Sequence, residues 1–170
     1  HKSFWEAPCN NKQDFNKLLK RTHDDGYQGT ELFLPFFEID TDTTLKAHVE
    51  LGLNIITGIA TQGNDVQEHL RSMNAQIERA VDFCPILINS HTGRDIFSLR
   101  VNLVLFEHAL KLEQKYDITI THETHRSRPT FSKFDTEKII KALPEIKLNL
   151  DISHWMVVHE SDLSDQLSRL

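Results

Sequence analysis

The sequence predicts an α/β protein in which a parallel sheet is wrapped by helices, and three observations lead there. Short runs rich in β-branched residues alternate with helix-periodic runs along the whole chain. Along the predicted strands one side-chain parity is aliphatic, while the other turns polar toward the C-terminal end. No glycine-rich phosphate loop follows any strand. A doubly wound sheet carries helices on both faces and needs both parities apolar. A closed barrel needs this only of its outer face, because its inner face opens onto a site at the top. The expectation is therefore a (β/α)8 TIM barrel, of which about six βα units are present in this chain, forming one domain over 1–170.

The elements follow in order. Lys2–Trp5 reads as a short first strand, and Gln13–Asp25 as a helix with Phe15, Leu18, Leu19 and Thr22 at helical spacing. After the turn Gly26-Tyr27-Gln28-Gly29, Thr30–Leu34 is a strand stopped by Pro35. Thr43–Gly52 reads as a helix with Gly52 as its stop. Asn54–Ala60, rich in isoleucine and threonine, reads as a strand. Val66–Phe83 is a long helix, Pro85–Ser90 a strand and Ser98–Tyr116 a helix. Asp117–Glu123 is a β-branched strand, Asp135–Leu143 a helix ending before Pro144, Lys147–Ile152 a strand, and Ser161–Leu170 the start of a further helix.

Parity identifies candidate site residues. Leu148 and Leu150 oppose Lys147, Asn149 and Asp151; Ile118 and Ile120 oppose Thr119, Thr121 and Glu123; Ile86 and Ile88 oppose Leu87, Asn89 and His91; Leu32 and Leu34 oppose Glu31 and Phe33. On the barrel reading Glu31, His91, Glu123 and Asp151 meet in one mouth. Five of the 10 histidines (His91, His122, His125, His154 and His159) fall at or just after the last three predicted strands, so imidazoles and carboxylates are mixed there. That mixture suits a divalent ion such as manganese, cobalt or zinc, whereas all-oxygen sites suit magnesium better. His122-Glu123-Thr124-His125 is not the helical zinc-protease motif, whose histidines are four apart, and it follows a β-branched run. Parity turns His122 toward the helices, and His125 and His159 read as solvated loop residues. Trp5, Phe33 and Trp155 are candidates for an apolar wall against a sugar ring, and Glu6 and Glu31 for polar contacts.

Composition narrows the function classes. The formal net charge is -6, with no run of lysine or arginine, a poor footprint for nucleic acid. No apolar stretch approaches transmembrane length, so no membrane partner is expected. Two cysteines, Cys9 and Cys84, are too few for a disulfide framework and read as reduced thiols of a cytoplasmic protein.

The order of elements, Glu123 ending the fifth strand and Asp151-Ile152-Ser153-His154 at the end of the sixth resemble the xylose isomerase-like TIM-barrel superfamily. That group includes ketose 3-epimerases, hydroxypyruvate isomerase, inosose-processing enzymes and an apurinic endonuclease branch. The resemblance is strongest over Thr119–Glu160 and points toward sugar phosphate isomerases and epimerases. It implies that Glu123 and Asp151 are two of four metal ligands, with manganese, cobalt, zinc or magnesium as cofactor. It implies that Glu123 is also the catalytic base and that His154 contacts substrate oxygens. His91 matches a ligand of the endonuclease branch and a pocket residue of the sugar enzymes. The remaining ligands, a histidine on a seventh strand and a glutamate on an eighth, have no counterpart here, so the chain is expected to be C-terminally incomplete or closed by a partner. Epimerases tend to carry another glutamate where this chain has Pro129, which leaves sugar orientation to Arg126 or Arg128. The expected activity is isomerisation or epimerisation of a sugar through an enediolate, and a homo-oligomer is compatible with it. The alternatives are a zinc phosphodiesterase of the apurinic endonuclease type and a non-catalytic barrel relative.

Overall fold

The computed structural model describes residues 1–3 and 12–160. Trp5, Glu6, Cys9 and the helix expected over Ser161–Leu170 lie outside the described residues. Within them the chain alternates strand and helix: β1 (Lys2–Ser3), α1 (Lys12–Asp24), β2 (Gly29–Phe33), α2 (Thr41–Glu50), β3 (Asn54–Ala60), α3 (Val66–Val81), β4 (Leu87–His91), α4 (Leu99–Tyr116), β5 (Ile120–Glu123), α5 (Lys133–Ala142), β6 (Lys147–Asn149) and α6 (Ile152–His159). The six strands are parallel and pair in sequence order from β1 to β6. An open doubly wound sheet reverses its strand order at a switch point, and this sheet does not. The fold is therefore that of a TIM-barrel wall.

Side-chain acceptors set several helix starts. Asp40, Asp65, Ser98 and Ser132 each accept from a backbone N–H in the first turn, at Thr43, Glu68, Val101 and Asp135. These caps explain why α2 and α5 begin two residues earlier than the apolar periodicity predicts. The helices cover one face of the sheet. Leu32, Ile55, Ile59, Ile88 and Ile120, one from each alternate position, are buried against Phe15, Leu19, Met73, Ile77, Phe83 and Leu105. The aliphatic parity is thus the outer, helix-facing one. No helix among the described residues is long and apolar enough to cross a membrane.

The structure corrects the sequence expectation around β6. The strand ends at Asn149 rather than Ile152, and residues 152–159 form α6, where only strand and loop were expected. The β-branched Ile152, Val157 and Val158 favour a strand locally. Here the Asp151 cap and the packing of Trp155 override that preference. As a consequence Leu150 leaves the aliphatic face and is 48% exposed. Ile86 precedes β4 and is likewise exposed, so it does not share the burial of Ile88.

Candidate active site

Strand register brings the polar parity together at the C-terminal end of the sheet. Phe33 pairs with Gly58, Gly58 with Asn89, Ala60 with His91, and Glu123 with Asn149. Glu31, Phe33, His91, Glu123, Asn149 and Asp151 line a single cleft of about 470 Å³. Gly58 is required beneath it: a Cβ there would lie 2.8 Å from Phe33 Cδ2 and would push that ring out of place.

Asn89 is the centre of the hydrogen-bond arrangement. Its Nδ2 donates to Glu31 Oε1 at 2.8 Å and to Glu123 Oε2 at 2.6 Å. Asn149 Nδ2 adds a longer bond to Glu123 Oε2 at 3.4 Å, and His91 Nε2 lies 3.2 Å from the same oxygen. The two carboxyl groups consequently titrate in opposite directions. Burial pushes Glu31 up, and the nearby Glu123 charge adds to this against the Asn89 bond. Burial also pushes Glu123 up, but the bond and charge of His91, with the Asn89 bond, outweigh it and hold Glu123 below the usual range. Carboxyl groups whose environments separate their proton affinities suit an acid and a base.

Asp151 and His154 complete the mouth from the start of α6. Asp151 reaches the site as a helix cap rather than as a strand residue. Its Oδ1 accepts from the Ser153 N–H at 2.9 Å and from the Ser153 hydroxyl, while Oδ2 lies 3.6 Å from His154 Nε2. Arg126 Nε donates to His154 Nδ1 at 3.0 Å. In the neutral ring this leaves the proton on Nε2, so His154 presents a donor to the cleft rather than a lone pair.

His125, read from the sequence as a solvated loop residue, stands inside this group. Its ring lies 4.7 Å from that of His91 and 4.0 Å from that of His154. Its Nδ1 donates to the Arg126 carbonyl, which turns the lone pair to Nε2, as ligating histidines require. Burial lowers its pKa against that carbonyl bond, and the neighbouring His91 and His154 lower it further, favouring the neutral form that binds metals. The residue lies just past β5, where strand parity no longer says which way a side chain points.

Two groups of potential ligand atoms result. His91, Glu123 and His125 form one, and Glu123, Asp151 and His154 the other; within each, the ligand atoms lie within 4.8 Å of one another, although the Arg126 bond to Nδ1 turns His154 toward donating rather than ligating. Carboxylate and imidazole in such clusters fit a divalent ion of the manganese, cobalt or zinc kind. Glu123 belongs to both. Thr130 Oγ1 donates to the Glu123 carbonyl at 2.6 Å and Thr124 Oγ1 to the Asp151 carbonyl at 3.0 Å, which fixes the end of β5 and the start of α6.

Other expectations resolve differently. Trp155 is fully buried, and its Nε1 donates to the Thr130 carbonyl at 2.9 Å. It packs beneath the site and is not an exposed wall for a sugar ring; a large aromatic on the inner side of a short helix gains more from the core. Phe33 does line the cleft, with its ring 5.3 Å from that of His91. Arg126 is exposed at the rim. His122 turns to the helices as parity requires, bonded to Thr92 Oγ1 at 2.8 Å and edge-on to Phe106, with burial lowering its pKa to about 3. His159 Nε2 accepts from the Lys133 N–H at 3.3 Å, away from the cleft.

The fold is similar to those of solved xylose isomerase-like TIM-barrel proteins. A xylose isomerase domain-containing protein from Salmonella typhimurium superposes with a TM-score of 0.74 at 17% identity, covering 99% of this chain and 65% of that one. A sugar phosphate isomerase/epimerase from Parabacteroides distasonis gives 0.74 at 15%, covering 98% and 69%. A xylose isomerase-like TIM-barrel protein from Mycobacterium smegmatis, in complex with magnesium, gives 0.57 at 13%, covering 87% and 61%. Sugar epimerases, a probable dehydratase and endonuclease IV share the fold as well. The chain spans 65% of the Salmonella protein and 64% of the dehydratase, in each case less than two thirds. The sequence matches no family model and no curated protein.

Proposed function

We propose that this chain forms part of a divalent-metal-dependent isomerase or epimerase acting on a ketose, an aldose or a sugar phosphate. The observation that carries the reading is Glu123, whose carboxylate belongs to both ligand groups at the mouth of the sheet. Glu123 would hold the ion, with His91 and His125 on one side of it and Asp151 on the other. Magnesium is bound by a Mycobacterium smegmatis protein of this fold, and the imidazoles here also suit manganese, cobalt or zinc. When bound, such an ion supplies positive charge near a sugar carbonyl oxygen as negative charge develops there.

The chain's own residues supply the rest. Glu123, held ionised by His91 and Asn89, takes the proton from the carbon beside the carbonyl. Glu31, which burial keeps protonated to higher pH than an ordinary carboxyl, is the candidate donor. His154 Nε2 donates to a substrate oxygen, in a ring oriented by Arg126. His91 and Phe33 line the cleft that receives the sugar.

The test is metal content followed by solvent deuterium exchange. About one divalent ion per chain is expected, lost in Glu123→Ala, with deuterium entering a ketose at the carbon beside its carbonyl. Two or three zinc ions per chain would favour phosphodiester cleavage instead, a chemistry consistent with the shared fold of endonuclease IV. No metal in any preparation, with Glu123→Ala stably folded, would remove the proposed chemistry.

A further inference from the structure

A second pocket, of about 280 Å³, lies beside the cleft and is built from the loops that follow β3, β4 and β5. Thr61, His69, Arg94 and Arg128 are among its lining. Arg128 is largely withdrawn from solvent, and its Nη1 donates to the carbonyls of Thr61 at 3.1 Å and Gly93 at 2.8 Å. Among the described residues, neither Arg94 nor Arg128 has a carboxylate within ion-pair distance. Burial lowers the proton affinity of Arg128, and the charge of Arg94 lowers it further, against a weaker opposite effect of Asp95. Two like charges thus share one small pocket, and among the described residues no carboxylate pairs directly with either. His69, fully buried, lines the same pocket with Nδ1 bonded to Thr61 Oγ1 at 2.8 Å.

The backbone around the pocket is held firmly. Buried Asn102 donates to the Arg94 carbonyl at 2.9 Å and to the Phe97 carbonyl at 3.2 Å, and it accepts from the Arg94 N–H at 3.3 Å. Gly93 adopts φ 68, and a Cβ there would lie 2.4 Å from Asn102 Oδ1, so the tight approach that seats Arg94 requires glycine. The Thr61 N–H donates to the His91 carbonyl at 3.1 Å, which ties this pocket to the residue that lines the cleft. Arg94 is three residues beyond His91, so their Cα atoms are no more than about 11 Å apart.

We infer that Arg94 and Arg128 receive a phosphate monoester carried at the far end of the substrate. A guanidinium presents planar paired donors that match phosphate oxygens. The Arg94 and Arg128 pocket attracts a dianion, which sets one orientation for a sugar phosphate whose other end enters the cleft. The inference deepens the isomerase or epimerase reading and rests on it for the sugar, but not for the anion.

The experiment measures binding of inorganic phosphate, D-xylulose 5-phosphate and D-xylulose to the protein, to Arg94→Gln and to Glu123→Gln. Arg94 is exposed, so its replacement leaves the fold intact, and near-UV circular dichroism verifies this. Inorganic phosphate should bind the parent protein and Glu123→Gln alike, and at least tenfold more weakly to Arg94→Gln. The phosphosugar should bind at least tenfold more tightly than D-xylulose, and Arg94→Gln should abolish that advantage. Phosphate binding that is absent, or unchanged in Arg94→Gln, overturns the site. Inorganic phosphate that binds as tightly as the phosphosugar assigns the pocket to a free oxyanion and overturns its role in the substrate. Metal content read on the same samples separates the two readings: metal without phosphate binding defeats this inference alone, and phosphate binding without metal defeats the proposed function alone.

Discussion

Asp151 performs two tasks with two different oxygens, and Asp151→Asn separates them. Oδ1 accepts from the Ser153 N–H and hydroxyl and so caps α6, while Oδ2 faces His154 and the ligand cluster with Glu123. Asparagine caps a helix about as well as aspartate, so the substitution should change stability by no more than about 0.5 kcal/mol. Alanine removes the cap as well and should cost about 1 kcal/mol. For the ion the two variants are alike, because both remove the anionic ligand oxygen. Substituting even a group that only supports a ligand weakens metal binding about 10–100-fold, so loss of the ligand itself should reach at least about 100-fold. At about 1.4 kcal/mol per factor of ten, this is nearly 3 kcal/mol of binding free energy. Calorimetric titration with manganese or cobalt gives the affinity, and urea unfolding of the metal-free protein gives the stability. Asp151→Asn that binds metal as tightly as the parent would refute the ligand role and leave Asp151 a helix cap alone.

Two further outcomes follow from buried groups. His122, fully buried, has a folded pKa lowered to about 3 from an ordinary 6.5. The unfolded chain therefore takes up the proton first, and the stability tied to neutral His122 is complete above about pH 6.5 and is lost as pH falls toward 3. At pH 4.5 that loss is on the order of 2–3 kcal/mol; His122→Gln, unfolded in urea at pH 7 and pH 4.5, should lose less, and parallel losses in parent and variant would contradict this. Trp155→Ala should cost about 3–5 kcal/mol because the indole is fully buried. Folded Trp155→Phe should bind sugar as the parent does, and a large loss of sugar affinity there would return the indole to the binding surface.

The alternation of strand and helix, and the contrast between aliphatic and polar parities, were legible in the sequence by itself. Both depend on local periodicity: residues two apart in a strand share a face whatever the rest of the chain does. That is why periodicity alone puts Glu31, His91 and Glu123 on one face and His122 on the opposite one. Parity stops where the strand stops, and tertiary structure decided what lies beyond. α6 forms against the β preference of Ile152, Val157 and Val158 because a cap and a buried indole outweigh weak local propensity. His125 joins the ligand cluster from the loop after β5, its ring bonded to the Arg126 carbonyl and set against His91 and His154, and Asn89 links two carboxyl groups supplied by strands β2 and β5. The pairing of Arg94 with Arg128 has the same origin: loops after neighbouring parallel strands meet in space although 34 positions separate the two residues in sequence. Such contacts depend on strand register and loop closure, which arise from the packing of the whole sheet rather than from any short stretch of residues.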